Sequence, residues 1–340
     1  MLAAVFRGAG RIELAELPDP VPGAGEVLLR VKACGICGSD VGAYKTGMYE
    51  PGIVIGHEIV AEVMEVGPEV EGWAPGDRVT VNGVIPCGRC SFCRHGRSSL
   101  CEEVLMPGVN VNGGMATHMK APAKGLHRLP DSVDDHAGCL VDPLSNVLHG
   151  VRRSRFRPGD RALVLGGGPI GLLTVQCLKL AGARAVYLSE PSPTRRRAGE
   201  FAGADAVFDP LAENLYLRID ELTGGEGVDF VFECAGVPAT LREAPMLVRK
   251  GGQVVVLGIC EEPVESDFMT VVLNEVEILG SYCGPEEYPA AITYLARGQV
   301  NAGAIISHVI PLEELVPKGF EALAAPAPEP VKVVVEMPAR

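Results

Sequence analysis

The chain has 340 residues, a length that suits about two domains of roughly 150 residues each. It is 47% hydrophobic, with 42 Gly and 27 Pro, which supplies a sizeable core and excludes a disordered chain. Thirty Lys and Arg against 43 Asp and Glu leave a formal charge of −13, which argues against nucleic acid or an anionic membrane as partner.

No apolar run reaches the ~18 residues of a membrane span. Residues 162–180 come nearest, interrupted by glycines, Gln176 and Lys179. The opening Met1–Arg7 lacks the basic and apolar regions of a signal peptide, so a cytoplasmic protein is expected. Eleven cysteines in a reducing compartment point to metal binding or catalysis rather than to disulfides.

In chain order, Glu26–Ala33 alternates and is rich in β-formers, and Ile59–Val66 and Asp77–Val81 continue as short strands broken by Gly and Pro. From Asp160 the texture changes. Arg161–Leu165, Ala185–Ser189, Ala206–Phe208, Val228–Phe232 and Val254–Leu257 read as strands. Pro169–Ala181, Thr194–Ala202, Glu213–Leu222 and Ala239–Val248 read as the helices between them. Apolar strands alternating with helices imply a parallel sheet covered on both faces. After Cys283 the alternation ends. Tyr288–Ala296 reads as a helix, 326–330 as a proline-rich turn, and Val331–Val335 as a last strand that rejoins the first domain.

Gly166-Gly167-Gly168-Pro169-Ile170-Gly171 fits G-x-G-x-x-G, between a predicted strand and a predicted helix. The first Gly permits the tight turn, and the second lets the backbone approach a pyrophosphate. The third lets helix and strand pack closely. The helix N-terminus offers free N–H groups to phosphate. Glu190 ends the next strand, where a carboxylate accepts from the ribose hydroxyls and repels a 2′-phosphate, so NAD(H) is the expected cofactor. Of Arg195, Arg196 and Arg197, all expected at the surface, Arg195 is placed near the adenosine.

Cys87, Cys90, Cys93 and Cys101 follow C-x2-C-x2-C-x7-C in a Gly- and Pro-rich loop. Four thiolates on one loop suit a closed structural zinc site, with an iron–sulfur cluster as the competing reading. A second constellation comprises Cys37, His57, Glu58 and Asp142. One thiolate, one imidazole and one or two carboxylates can hold zinc with a position left for water or substrate.

CGICGSD (34–40), GHE (56–58), PGDRV (75–79), the four cysteines, DPLSNVLH (142–149) and GGGPIG (166–171) with Glu190 span nearly the whole chain. In this order the motifs resemble the zinc-dependent medium-chain dehydrogenases, the family of alcohol, polyol, butanediol and threonine dehydrogenases. The resemblance implies an α/β fold. A doubly wound parallel Rossmann sheet (148–285) is inserted into a mainly β GroES-like catalytic domain (1–147 and 286–340), whose structural zinc lobe spans about 83–103. It implies two Zn2+ per chain, one catalytic and one structural. Cys37 and His57 become ligands of the catalytic zinc. Glu58 and Asp142 are the carboxylate candidates, with the choice or an exchange between them left open. Asp40 would orient His57, and Ser39 would relay the substrate proton.

The implied reaction moves hydride between a secondary alcohol, diol or polyol and NAD, giving the ketone. L-Threonine 3-dehydrogenase is the alternative. A non-catalytic zinc- and nucleotide-binding protein and a zinc-free quinone reductase are the remaining ones, and two metal sites weigh against both. The implied assembly is a homo-oligomer, dimer or tetramer, to which an edge strand of the Rossmann sheet could contribute.

Three departures from the family pattern stand out. Gly42 occupies the place of a frequent relay histidine, Ala61 that of a usual glycine, and 280–285 (GSYCGP) lacks the arginine of sorbitol dehydrogenases. Tyr44, Tyr282 and Tyr288 are candidates for a substrate pocket or for the core.

Overall fold

The strand Glu26–Gly35 organises the first half of the chain. Val27, Leu29, Val31 and Ala33 are buried and alternate with half-buried Leu28, Arg30 and Lys32, the period of a sheet with one covered face. It pairs antiparallel with Glu58–Val66, His118–Pro122 and Lys332–Glu336. The sheet among the described residues runs Ile306–Pro311, Lys332–Glu336, Glu26–Gly35, Glu58–Val66, Arg78–Val81 and Leu126–Arg128. Leu29, Ile59, Val79, Phe320 and Val333 fill the core beneath it. The computed structural model describes residues 1–325 and 328–338, so Pro326 and Ala327 of the proline-rich turn lie outside the described residues.

A second sheet holds parallel strands in the order Ala206–Phe208, Ala185–Ser189, Arg161–Leu165, Val228–Glu233, Val248–Val256 and Glu277–Gly280. Chain order reverses between Arg161–Leu165 and Val228–Glu233. That is the switch point where doubly wound sheets bind ligand at the carboxyl ends of their strands. Leu163, Leu165, Val231 and Val254 are buried there because helices cover both faces.

The chain divides into two compact units, Met1–Ser145 with Gly284–Gly298 and Ile306–Arg340, and Asn146–Cys283 with Gln299–Ile305. The division at Ser145 falls inside the helix Val141–Arg153, slightly before the boundary expected at 147. Gln299–Ile305, expected in the catalytic domain, packs instead with the parallel sheet. The Gln176 side chain explains this, accepting from Asn301 N–H (2.7 Å) and donating to the Asn301 carbonyl (3.3 Å). The opening hairpin Leu2–Gly8 with Arg11–Glu16, the helix Gly38–Thr46 and the edge strand Glu277–Gly280 were not read from sequence. Gly38 and Gly42 dilute the apolar pattern of that helix, and the edge strand is mostly exposed. No described helix is long and apolar enough to cross a membrane.

Candidate metal and cofactor sites

Cys37 precedes the helix Gly38–Thr46 with extended backbone, and its N–H donates to Asp40 Oδ2 (3.1 Å). Asp40 is thus fixed by the turn that presents the thiol. Strand pairing sets Glu58 opposite Gly35, and His57 immediately precedes it. Ligand atoms of Cys37, His57 and Glu58 all lie within 4.8 Å of one another. Asp40 Oδ1 stands 3.6 Å from His57 Nδ1, and both atoms are buried without a hydrogen-bond partner among the described residues. Buried polar atoms without partners are costly. A thiol, an imidazole and a carboxylate converging beside them fit a zinc ion.

Burial lowers the pKa of His57, but the charges of Asp40 and Cys37 outweigh it and hold the imidazole well above its usual range. Burial likewise raises Asp40, against the pull of His57 and the Cys37 N–H. To hold a metal, His57 would have to ligate as the neutral imidazole.

Two more charges complete the site. Lys332, buried on the last strand, contacts Glu58 Oε2 and donates to the Ile36 carbonyl (2.9 Å). Burial works against its ammonium, and Glu58 more than compensates. A Cβ on Gly35 would meet Glu58 Oε2 and lie 3.1 Å from Lys332 Cε, so glycine is what makes room for the pair. Asp142 lies outside the Cys37–His57–Glu58 cluster. Its Oδ1 accepts the Tyr288 hydroxyl (2.5 Å), and the phenol oxygen accepts from Gly83 N–H (2.8 Å).

Ser39 is half-buried. Tyr49 is buried beside Ser39 and Asp40, and burial pushes its phenol pKa up. Tyr44 packs on Phe320 (5.3 Å between rings), beside the core. Tyr282 is exposed, in the other unit. Ala61, in place of the usual glycine, is fully buried in the sheet opposite Val31 and Val79.

The four loop cysteines converge, with Cys87–Cys93, Cys90–Cys93 and Cys90–Cys101 sulfurs 4.0, 3.5 and 3.9 Å apart. Sulfurs about 2.3 Å from a tetrahedral zinc lie about 3.8 Å apart, which matches. Backbone N–H groups of Arg89 and Cys90 donate to Cys87 Sγ, and that of Cys87 to Cys101 Sγ. N–H groups of Cys93 and Glu102 pull the Cys90 thiol down to about 6, toward the thiolate a metal needs. Of the other cysteines, Cys34 and Cys139 are fully buried, and burial pushes both thiols well up. Cys177 sits inside a helix, while Cys234, expected on a strand, lies one residue past its end.

In the parallel sheet, Gly166 has φ +101, and a Cβ there would lie 2.9 Å from Ala235 Cβ. A Cβ on Gly171 would collide with the Gly166 carbonyl, so the third glycine is required by packing. A Cβ on Gly168 would meet no protein atom, which leaves the space before the helix Pro169–Leu180 open to a ligand. Pro169 and Ile170 form its first turn. Buried Glu190 accepts from Gly167 N–H (2.6 Å) and Ser192 N–H (2.8 Å). Arg195 is half-buried and Arg197 exposed. Arg196 is not the expected free surface residue, because it pairs with Asp209 (3.0 Å) and donates to the Glu190 and Pro191 carbonyls.

Residues 23–131 match the alcohol dehydrogenase GroES-like domain, and residues 169–297 the zinc-binding dehydrogenase domain. A 2-dehydro-3-deoxy-L-galactonate 5-dehydrogenase of Pseudoalteromonas atlantica is 34% identical, over 93% of both chains. The chain belongs to the zinc-dependent medium-chain dehydrogenases. The crystal structure of 2R,3R-butanediol dehydrogenase from Bacillus subtilis superposes with TM-score 0.90 at 33% identity, covering 98% of this chain and 99% of that one. A Sinorhizobium meliloti protein assigned as a zinc-binding dehydrogenase and solved with NADP reaches 0.91 at 37% identity, covering 98% of each chain. This medium-chain dehydrogenase is an alcohol or polyol oxidoreductase that uses zinc and NAD(P).

Sequence reasoning did not find the roles of Lys332, Tyr49 and Tyr288 in this dehydrogenase. A lysine in a terminal strand reads as a solvated charge, and nothing local to Tyr49 or Tyr288 names its partner. Replacing Lys332 by Met leaves the Glu58 charge buried and unpaired. It is expected to cost about 3–5 kcal/mol in chemical denaturation, with much of the loss recovered when Glu58→Gln is added. Wild-type stability of the single variant would contradict the pairing.

Proposed function

We propose that this dehydrogenase oxidises a secondary hydroxyl of a neutral diol or small polyol with NAD, and reduces the corresponding ketone. The supporting observation is the charge of the cluster. Buried Asp40, Glu58 and Asp142 and the Cys37 thiol stand at or beside the cluster, against the cations Lys332, which pairs with Glu58, and His57. Even with a dication added, such a site disfavours an anionic substrate such as a sugar acid and suits neutral hydroxyls.

Cys37, His57 and Glu58 would hold the catalytic zinc, and the four-cysteine loop the structural one. When bound, zinc supplies Lewis acidity toward an alcohol or carbonyl oxygen, and the nicotinamide supplies the hydride acceptor. Asp40 orients His57 through Nδ1. Ser39 would take the substrate proton, and Tyr49, which lies beside Ser39, would carry it onward where Gly42 offers no side chain. With 2,3-butanediol, sorbitol, L-threonine and simple secondary alcohols as a panel, NADH absorbance is expected to rise most for the diol and polyol. Cys37→Ser should abolish turnover and reduce zinc from two ions per chain to one, with NADH binding retained. Turnover on L-threonine alone, or undiminished turnover of the variant, contradicts the proposal.

The dinucleotide would lie along Gly166–Gly171, with the ribose hydroxyls on Glu190. Arg196 is engaged by Asp209, and the Glu190 carboxylate opposes a 2′-phosphate. Glu190→Ala is expected to reduce the ratio of kcat/KM for NAD over NADP about tenfold or more. An unchanged ratio would remove Glu190 from the ribose site.

The cytosol is the compartment we assign, since clustered cysteines with metal-binding spacing suit a reducing compartment. A second copy is the partner that fits the edge strand Glu277–Gly280, which pairs on one side only among the described residues. Phe268, Met269, Val272, Leu273 and Ile278 are exposed on it or on the helix just before it, too much apolar surface for a lone subunit. Val272→Glu is expected to shift the mass seen by light scattering to the monomer. A monomeric wild type would contradict the assembly.

A further inference from the structure

Glu233 is a buried acid that neither metal site nor the adenosine site uses. It ends the strand Val228–Glu233, is fully buried, and pairs with Leu165 on one side and Val256 on the other. It therefore stands at the carboxyl edge of the parallel sheet, one strand from the glycine turn that follows Leu165. An acid in that place is costly unless its acceptors are used.

One of its oxygens is used heavily. Oε1 accepts from Ala235 N–H (2.9 Å), Gly236 N–H (2.8 Å) and the Thr240 hydroxyl (2.7 Å). It thereby joins the end of the strand, the turn after it and the first turn of the helix Pro238–Leu247. The main-chain carbonyl of Glu233 accepts from Leu257 N–H (2.8 Å) and Gly258 N–H (3.0 Å), which ties in the turn after Val248–Val256. Oε2 is buried and has no hydrogen-bond partner among the described residues.

These turns press on one another and on the glycine turn. Cys234 N–H donates to the Leu165 carbonyl (2.9 Å), and a Cβ on Gly166 would lie 2.9 Å from Ala235 Cβ. A Cβ on Gly258 would meet Gly236 N and stand 2.6 Å from Glu233 Oε2. Gly236 has φ +66, and a Cβ there would lie 2.6 Å from the Ile259 carbonyl oxygen. Glu233 is thus the polar side chain where three turns meet. Dinucleotides cross a doubly wound sheet at this switch point. With the adenosine on the Glu190 side, the nicotinamide half lies over the ends of Val228–Glu233 and Val248–Val256.

We propose that Glu233 is a positioning residue for the dinucleotide. Its Oε1 sets the turn 234–237, against which 257–259 packs, as a preformed bed for the nicotinamide half. This rests on the reading that the adenosine half lies at Gly166–Gly171 and Glu190. Binding then spends nothing on ordering those turns. The acceptor does the holding rather than the charge, because Oε2 makes no bond.

The test is calorimetric titration of the holoenzyme with NADH and, separately, with AMP, which fills the adenosine half only. Glu233→Ala leaves three buried donors unmet. It is expected to weaken NADH about tenfold or more and to leave AMP within about threefold. Glu233→Gln keeps the Oε1 acceptor and gives up only an oxygen that bonds nothing, so NADH should stay within about threefold of wild type. Thr240→Val removes one donor by an independent route. It should weaken NADH about fivefold with AMP unchanged, and it decides the matter if Glu233→Ala fails to fold.

Unchanged NADH affinity in both Glu233→Ala and Thr240→Val overturns the positioning role, and so does equal weakening of NADH and AMP. Glu233→Gln as weak toward NADH as Glu233→Ala also overturns it, since the acceptor would then not be what holds the turn. Unchanged AMP affinity in Glu190→Ala overturns instead the reading on which the inference rests.

Discussion

The site depends on two opposite charges buried together. Glu58 and Lys332 meet over Gly35, at the place where three strands from different parts of the chain lie side by side. Either charge alone would be expensive in that environment, and together they tie the last strand to the segment that carries Cys37 and His57. The backbone also takes part, since the ammonium donates to the Ile36 carbonyl one residue before Cys37. One ion pair therefore fixes strand register, ligand spacing and the charge of the cluster at once.

The two thiolate sites solve the metal problem in different ways. The four-cysteine loop is local: its ligands fall within fifteen residues, and its own N–H groups solvate the sulfurs. Little of that geometry depends on the rest of the fold. The Cys37 cluster is assembled by sheet pairing, and its neighbours Lys332, Asp142 and Tyr288 come from distant segments. A closed, self-contained site suits structure. An open site whose surrounding charges are set from outside suits chemistry.

The glycine turn follows a third logic, that of excluded volume. Gly166 and Gly171 are small because protein atoms press on them, and Gly168 is small where no protein atom lies. The first two serve packing and the last leaves room for a phosphate. Glu190 is held meanwhile by Gly167 and Ser192 N–H groups, so the carboxylate is oriented by the same turn.

The sequence by itself determined the parts whose physics is local. The parallel strands 161–165, 185–189 and 206–208 follow from continuous apolar runs, the cofactor turn from glycine spacing, and the metal loop from cysteine spacing. Motif resemblance supplied the pairing of Cys37 with His57. Only the tertiary structure shows that Glu58 meets Lys332 and that Asp142 accepts the Tyr288 hydroxyl. It also decided that 299–305 belongs with the parallel sheet, through one reciprocal amide bond. In each case the deciding partner lies more than a hundred residues away, and no local pattern of apolarity or spacing records such a contact.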